Sequence, residues 1–194
     1  MFWFRSKTIL SVTIGCGFFI AASLPACKPD IKETGAKMKF FDIKGYFAKD
    51  SALLTKQNRL VLKSVSNNGF TQTKKVHIAN WGHELSLFKE SDINKPAWRD
   101  SYTVTGGNGI TIYKATDPDL KTREIMIKQD SGKVKWIVIY NDSQPNKTGR
   151  FKNWWLYQTV QKLSYFPDSL YEIEMLQRVR LLGTNRYRIK GLLN

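Results

Sequence analysis

Sulfhydryl and imidazole groups are scarce in this chain of 194 residues, which has two cysteines, Cys16 and Cys27, and two histidines, His77 and His83. Beyond residue 27 there is no thiol. That excludes a disulfide framework, thiolate metal sites and thiol catalysis from most of the chain, which must fold on its core alone. His83-Glu84 is not followed by a second histidine at the spacing of the zinc-protease helix, so that metal centre is excluded too. No serine sits in a nucleophile-elbow pattern. Acid is also short, with 16 Asp+Glu against 31 Lys+Arg and a formal net charge of +15. There is no internal repeat and no low-complexity tract.

The first 27 residues are a layered leader. Arg5 and Lys7 form a small positive region, Thr8 to Ser23 is apolar and uncharged, and Leu24-Pro25-Ala26-Cys27 follows. This is the order of a secretory signal. The competing reading is an uncleaved membrane anchor, because Thr8 to Ala26 is just long enough to span a bilayer. Pro25 near the end of such a helix argues against it. The final four residues resemble a bacterial lipobox. That resemblance implies cleavage before Cys27, loss of Cys16 with the leader, and a diacylglyceryl thioether plus an N-acyl chain such as palmitate on Cys27. Two such signals are enough for stable anchoring.

Cleavage leaves 194 − 26 = 168 residues, with 29 basic and 16 acidic side chains and a charge of +13. A balance of that sign speaks to partners rather than to fold. Outside the cytoplasm the matching partners are anionic lipid, lipopolysaccharide, acidic glycan or an acidic protein. No nucleic-acid motif is present and no such partner is expected. The plainer reading is a domain whose lysines are simply solvated.

The expected organisation is a signal peptide over 1–26, a lipidated N-terminus and tether over 27–38, and one β-rich domain over 39–194. Phe40, Ile43, Phe47 and Leu54 recur at helical spacing and predict an amphipathic helix over Phe40–Asn58, weakened by Gly45. The period then changes to two. Leu60–Ser66 and Phe70–Ile78 form a hairpin about Asn67-Asn68-Gly69. A short helix follows over Trp81–Glu90, with Asn80 as its N-cap. Strands are expected near Arg99–Thr105, Gly109–Thr116, Thr122–Gln129, Lys133–Tyr140, Asn153–Tyr165, Ser169–Leu181 and Arg186–Leu193. Short connections favour a meander. The fold class is α+β: an N-terminal helix on a curved antiparallel sheet, a half-barrel or open barrel, since a wide twisted sheet curls.

The last hairpin is read with Gly183-Thr184-Asn185 as its loop and Leu182 opposite Arg186. Leu181 then faces Tyr187, and Val179 faces Ile189. The other face gathers Arg178, Arg180, Arg186, Arg188 and Lys190 as a candidate basic patch. Like charges directly opposed destabilise a sheet, so Glu172 and Glu174 or an external anion must compensate. A second candidate is the loop around Asp92, Asn94, Lys95, Trp98 and Arg99, either an interaction loop or a connection sealed by Trp98. Asn153-Trp154-Trp155-Leu156-Tyr157 puts aromatics on both faces of a strand, as a central strand, a lipid-lined cavity or a partner surface would. Gly106-Gly107-Asn108-Gly109 and Asp117-Pro118-Asp119 read as turns.

The leader, the run Asp92-Ile93-Asn94-Lys95-Pro96-Ala97-Trp98 and the closing run Phe166–Tyr171 resemble uncharacterised small lipoproteins of the Bacteroidota cell envelope. The resemblance implies an envelope location and carries no activity or site residues. The mixed run Lys28-Pro29-Asp30-Ile31-Lys32-Glu33 after the cysteine favours the outer membrane, facing the periplasm. Two functions compete: a non-catalytic lipoprotein holding an apolar or amphiphilic ligand in its sheet, and an interaction module docking an anionic partner through the basic hairpin. An envelope hydrolase built on two distant carboxylates has least support. No cofactor and no metal are expected.

Overall fold

The structure, a computed structural model, describes residues 38–143 and 157–193. The leader, Cys27, the tether up to Lys37, and Asn153-Trp154-Trp155-Leu156 lie outside the described residues. The first helix, α1, spans Ile43–Gln57. It starts three residues later than the apolar spacing implies because Asp42 caps it, its carboxylate accepting from the Gly45 amide at 2.7 Å. Gly45 is the weak helix former that makes room for this cap: a Cβ there would lie 2.0 Å from Asp42 Oδ2. Asn58 ends the helix in the left-handed region at φ 44°, a conformation that Asn tolerates.

The nine strands are β1 Leu60–Asn67, β2 Phe70–His77, β3 Tyr102–Gly107, β4 Ile110–Ala115, β5 Thr122–Asp130, β6 Lys133–Ser143, β7 Tyr157–Phe166, β8 Leu170–Val179 and β9 Gly183–Leu193. They form one open antiparallel sheet in the order β2-β1-β9-β8-β7-β6-β5-β4-β3. From β3 to β9 this is the expected meander. The first hairpin departs from it, because β1 pairs with the last strand, Val61 opposite Leu193. Alternation tells which face a residue takes, not which neighbour its strand finds. The edges β2 and β3 are therefore consecutive in the chain. The segment between them holds α2 (Trp81–Glu84), α3 (Ser86–Glu90) and a 3-10 turn at Pro96–Trp98. The single helix expected over Trp81–Glu90 is thus two, broken at Leu85. Asn80 does cap α2, accepting from the His83 amide at 2.9 Å.

The helices lie on one face of the sheet. One row across that face runs Tyr113, Ile125, Ile139, Leu163, Ile173, Ile189 and Val65. It is buried as far as Ile173, half-buried at Ile189 and exposed at Val65. Phe47 of α1 packs edge-on to Tyr165, ring centres 5.0 Å apart, and lies against Phe88 of α3 at 4.8 Å. Trp81 of α2 meets Tyr171 at 5.9 Å. Tyr171 in turn fills the space above Gly191, where a Cβ would come 2.1 Å from its ring. Its hydroxyl donates to Glu84 at 2.6 Å, and Lys63, opposite Gly191, pairs with the same carboxylate at 2.7 Å. This is an ion pair held under α2, so it fastens the helix to the sheet.

Above this apolar layer sits a buried polar one. The Asn141 amide donates to Ser91 Oγ at 2.9 Å and to Gln161 Oε1 at 3.3 Å. Asn141 Oδ1 and Thr159 Oγ1 are buried with no hydrogen-bond partner among the described residues.

Candidate functional site

The β8–β9 hairpin differs in register from its expected form. Its turn is Arg180-Leu181-Leu182, and Val179 lies opposite Gly183. Gly183 at φ 89° supplies the positive φ of the turn. The shift is by an even number of residues, so each side chain that stays in a strand keeps its face, while Arg180 and Leu181 pass into the turn and every partner changes. Tyr187 meets Met175, and Ile189 meets Ile173. Arg188 now opposes Glu174 and bonds to it, while also lying 3.5 Å from Glu172. Lys190 opposes Glu172. The cations do not face one another as the sequence reading had it. Arg188 belongs to an alternating row that runs Lys114, Glu124, Tyr140, Lys162, Glu174, Arg188 across the face away from the helices. Opposite charges at adjacent cross-strand positions stabilise each other.

Arg178 and Arg186 stand nearer the turn, opposite Thr184 and Leu176. Among the described residues neither side chain has an acidic partner. Arg180 lies in the turn itself. Beside these arginines are the most exposed large apolar residues described: Leu181 at 84 %, Leu182 at 83 % and Phe70 at 86 %. Phe70 follows the β1–β2 turn. That turn is fastened to the start of β9: the Asn68 amide donates to the Arg186 carbonyl at 2.9 Å, and the Arg186 amide donates to Asn68 Oδ1 at 2.8 Å. The two turns therefore project from the same end of the sheet as one feature.

The N-terminal segment joins the sheet at that end as well. Phe40 packs edge-on to Tyr102, the first residue of β3, at 5.8 Å, and Lys39 bonds the Arg99 carbonyl and Asp100, both at 2.8 Å. The antiparallel register sets the start of β3 and the end of β8 at one end. The loop from Asp92 to Arg99 serves this join. Asn94 accepts from the Phe40 amide at 3.1 Å, and its own amide donates to the Phe41 carbonyl at 3.0 Å and to Asp92 at 3.3 Å. Lys95 sits 3.8 Å above the Trp98 ring. The connection reading accounts for each of these contacts.

No protein-family model, curated protein or solved structure matches the chain. Its chemistry is therefore read from its own residues. His77 and His83 are exposed and lie in different elements. Among the described residues no group of three His, Cys, Asp or Glu is placed to hold a metal. Asp117 Oδ1 accepts from the Asp119 amide at 2.8 Å, the turn geometry expected of Asp-Pro-Asp. Two acid–phenol pairs remain, in which a half-buried acid meets a buried phenol: Glu84 with Tyr171 and Asp50 with Tyr165. Burial first, then the bond to the acid, holds both phenols far above the ordinary tyrosine range. Burial also raises Asp50, against the lowering bond from Tyr165, and Asp168 adds to the rise. Both phenols face packed aromatic rings, so the pairs serve as ties between helix and sheet.

Sequence reasoning missed the apolar turn. It placed Leu181 in a strand because Val179, Leu181, Tyr187 and Ile189 alternate well. The signal against that reading was Leu181-Leu182, two adjacent large residues that break the alternation just before Gly183.

Proposed function

We propose that the chain is a non-catalytic lipoprotein of the bacterial envelope, anchored through Cys27, whose domain is an interaction module docking to anionic groups. The observation that carries this reading is the filled helix side of the sheet from β4 to β8. Trp81, Tyr165, Tyr171, Phe47 and Phe88 are fully buried there, in the positions that an amphiphile carrier leaves open to cargo. Functional groups then lie outside, and Arg178 and Arg186, beside the exposed apolar turns, are among the described cations with no acidic partner. A half-barrel curl of the sheet around α1 belongs to this reading, supported by the nine-strand open sheet and by the rings of α1 and α3 packed on Tyr165. The outer membrane, facing the periplasm, is the location that the leader and the residues after Cys27 favour, and the small Bacteroidota lipoproteins remain the group that it resembles.

Cell fractionation of wild type and Cys27→Ser tests the reading. The expected result is wild type in the membrane fraction, with an acylated Cys27 in its intact mass, and the variant released. Retention of the variant in the membrane would contradict it.

A further inference from the structure

We infer that the paired turns form a second contact with the bilayer, in which Leu181, Leu182 and Phe70 enter the interface while Arg178 and Arg186 meet lipid phosphates. The inference rests on the lipid-anchor reading, since the occupant named is the membrane that holds Cys27.

Three observations meet here. The first is residue choice. Gly183 makes the β8–β9 turn and Asn68-Gly69 makes the β1–β2 turn, so neither turn requires Leu181, Leu182 or Phe70 for its geometry. All three are more than four-fifths exposed, and exposed apolar residues gathered at one place mark an interaction surface. The second is charge. Two arginines with no acidic partner among the described residues flank the apolar tips, whereas Arg188, further along β9, is answered by Glu174 and Glu172, and Lys190 lies opposite Glu172. Apolar tips with adjacent cations match an anionic interface, where acyl chains lie just beneath a layer of phosphates. The third is position. The chain joins the sheet at this same end through Lys39 and Phe40. Met38 is 38 − 27 = 11 residues from Cys27, a reach of at most about 38 Å at ~3.4 Å per residue. The attachment stands at the β3 edge and the tips at the β8, β9, β1 and β2 side of this same end.

The acyl chains already give retention, so the tip's role is orientation. It would stand the strands on the membrane and turn the opposite end, with Asn108-Gly109 and Ser131-Gly132, toward the aqueous space.

The test uses the full chain reconstituted in phosphatidylethanolamine–phosphatidylglycerol vesicles with brominated acyl chains. Because Cys27 is acylated in the mature chain, a single introduced thiol can carry a bimane label. Leu182→Cys is compared with Ser131→Cys at the opposite end. Quenching several-fold stronger at 182 than at 131 supports the inference. In the Leu182→Cys chain, adding Arg178→Ser and Arg186→Ser should shift the docked-to-free ratio about fivefold per arginine. Equal, weak quenching at both positions, in a chain that still floats with the vesicles, overturns the inference and leaves the anchor standing. A Cys27→Ser chain that stays on vesicles until Leu181→Ser and Leu182→Ser are added would instead overturn the anchor and support the tip.

Discussion

The two ends of the sheet are closed by turns of similar backbone and different side chains. At one end Asn108, Ser131 and Asp168 take positive φ, and the exposed large apolar residue beside them is Leu60, at 42 %. At the other, Asn68, Gly69 and Gly183 do the same work, yet Phe70, Leu181 and Leu182 stand beside them in solvent. Turn geometry explains most of the first end. It explains the second only in part, and the unexplained part is apolar. The lesson is that a turn's sequence has a share fixed by φ and a share left for function, and the second share is far larger at one end.

Variants can break this contrast at either end. The largest effect belongs under α2. Glu84→Ala leaves Lys63 and the Tyr171 hydroxyl without their shared carboxylate, and should cost about 3 kcal/mol, a fall in Tm of roughly 6–12 °C. Gly191→Ala drives Tyr171 from its place and should cost about 2 kcal/mol; chemical denaturation reads both. Thr159→Val removes a buried hydroxyl with no partner among the described residues and should raise stability by about 1 kcal/mol. None of these three should change the contact with vesicles. Leu181→Ser with Leu182→Ser should do the reverse, leaving stability within about 0.5 kcal/mol while abolishing bimane quenching at a third tip position, Phe70→Cys.

Acidity gives a separate check on the packed interior. Burial and Asp168 raise Asp50 despite the Tyr165 bond, so the folded chain holds that proton more tightly than the unfolded one. Its contribution is full below the ordinary aspartate pKa, and is lost as pH rises through the elevated folded value. Urea midpoints across that range should show the slope, and Asp50→Asn should flatten it.

Much of the architecture was legible in the sequence. Period-two alternation located the strands, and Asp-Ser-Gly and Asn-Asn-Gly marked turns that exist. Asn80 was legible as a cap because its side chain acts within its own helix. The sheet order was not, because the pairing of Val61 with Leu193 joins residues far apart in sequence by apolar contact that carries no local mark. The hairpin register was missed for a related reason. An even shift preserves both faces, so the apolar pattern alone cannot choose the turn; the approach of Arg188 to Glu174 and the αL position of Gly183 decide it. Of the candidate site, the cations were legible and their partners were not. The leader, Cys27 and the first tryptophans of the aromatic run lie outside the described residues, so for them the sequence remains the only guide.

The central claim is that this domain's interior is filled and its function lies on its surface. Native mass spectrometry of the mature chain purified from its envelope tests that most directly. The account predicts one acylated polypeptide mass with no further amphiphile, and no uptake of added fatty acid or phospholipid into the fold. A stoichiometric lipid retained after the anchor lipid is accounted for, and displaced by a competing amphiphile, would contradict it and make the domain a carrier.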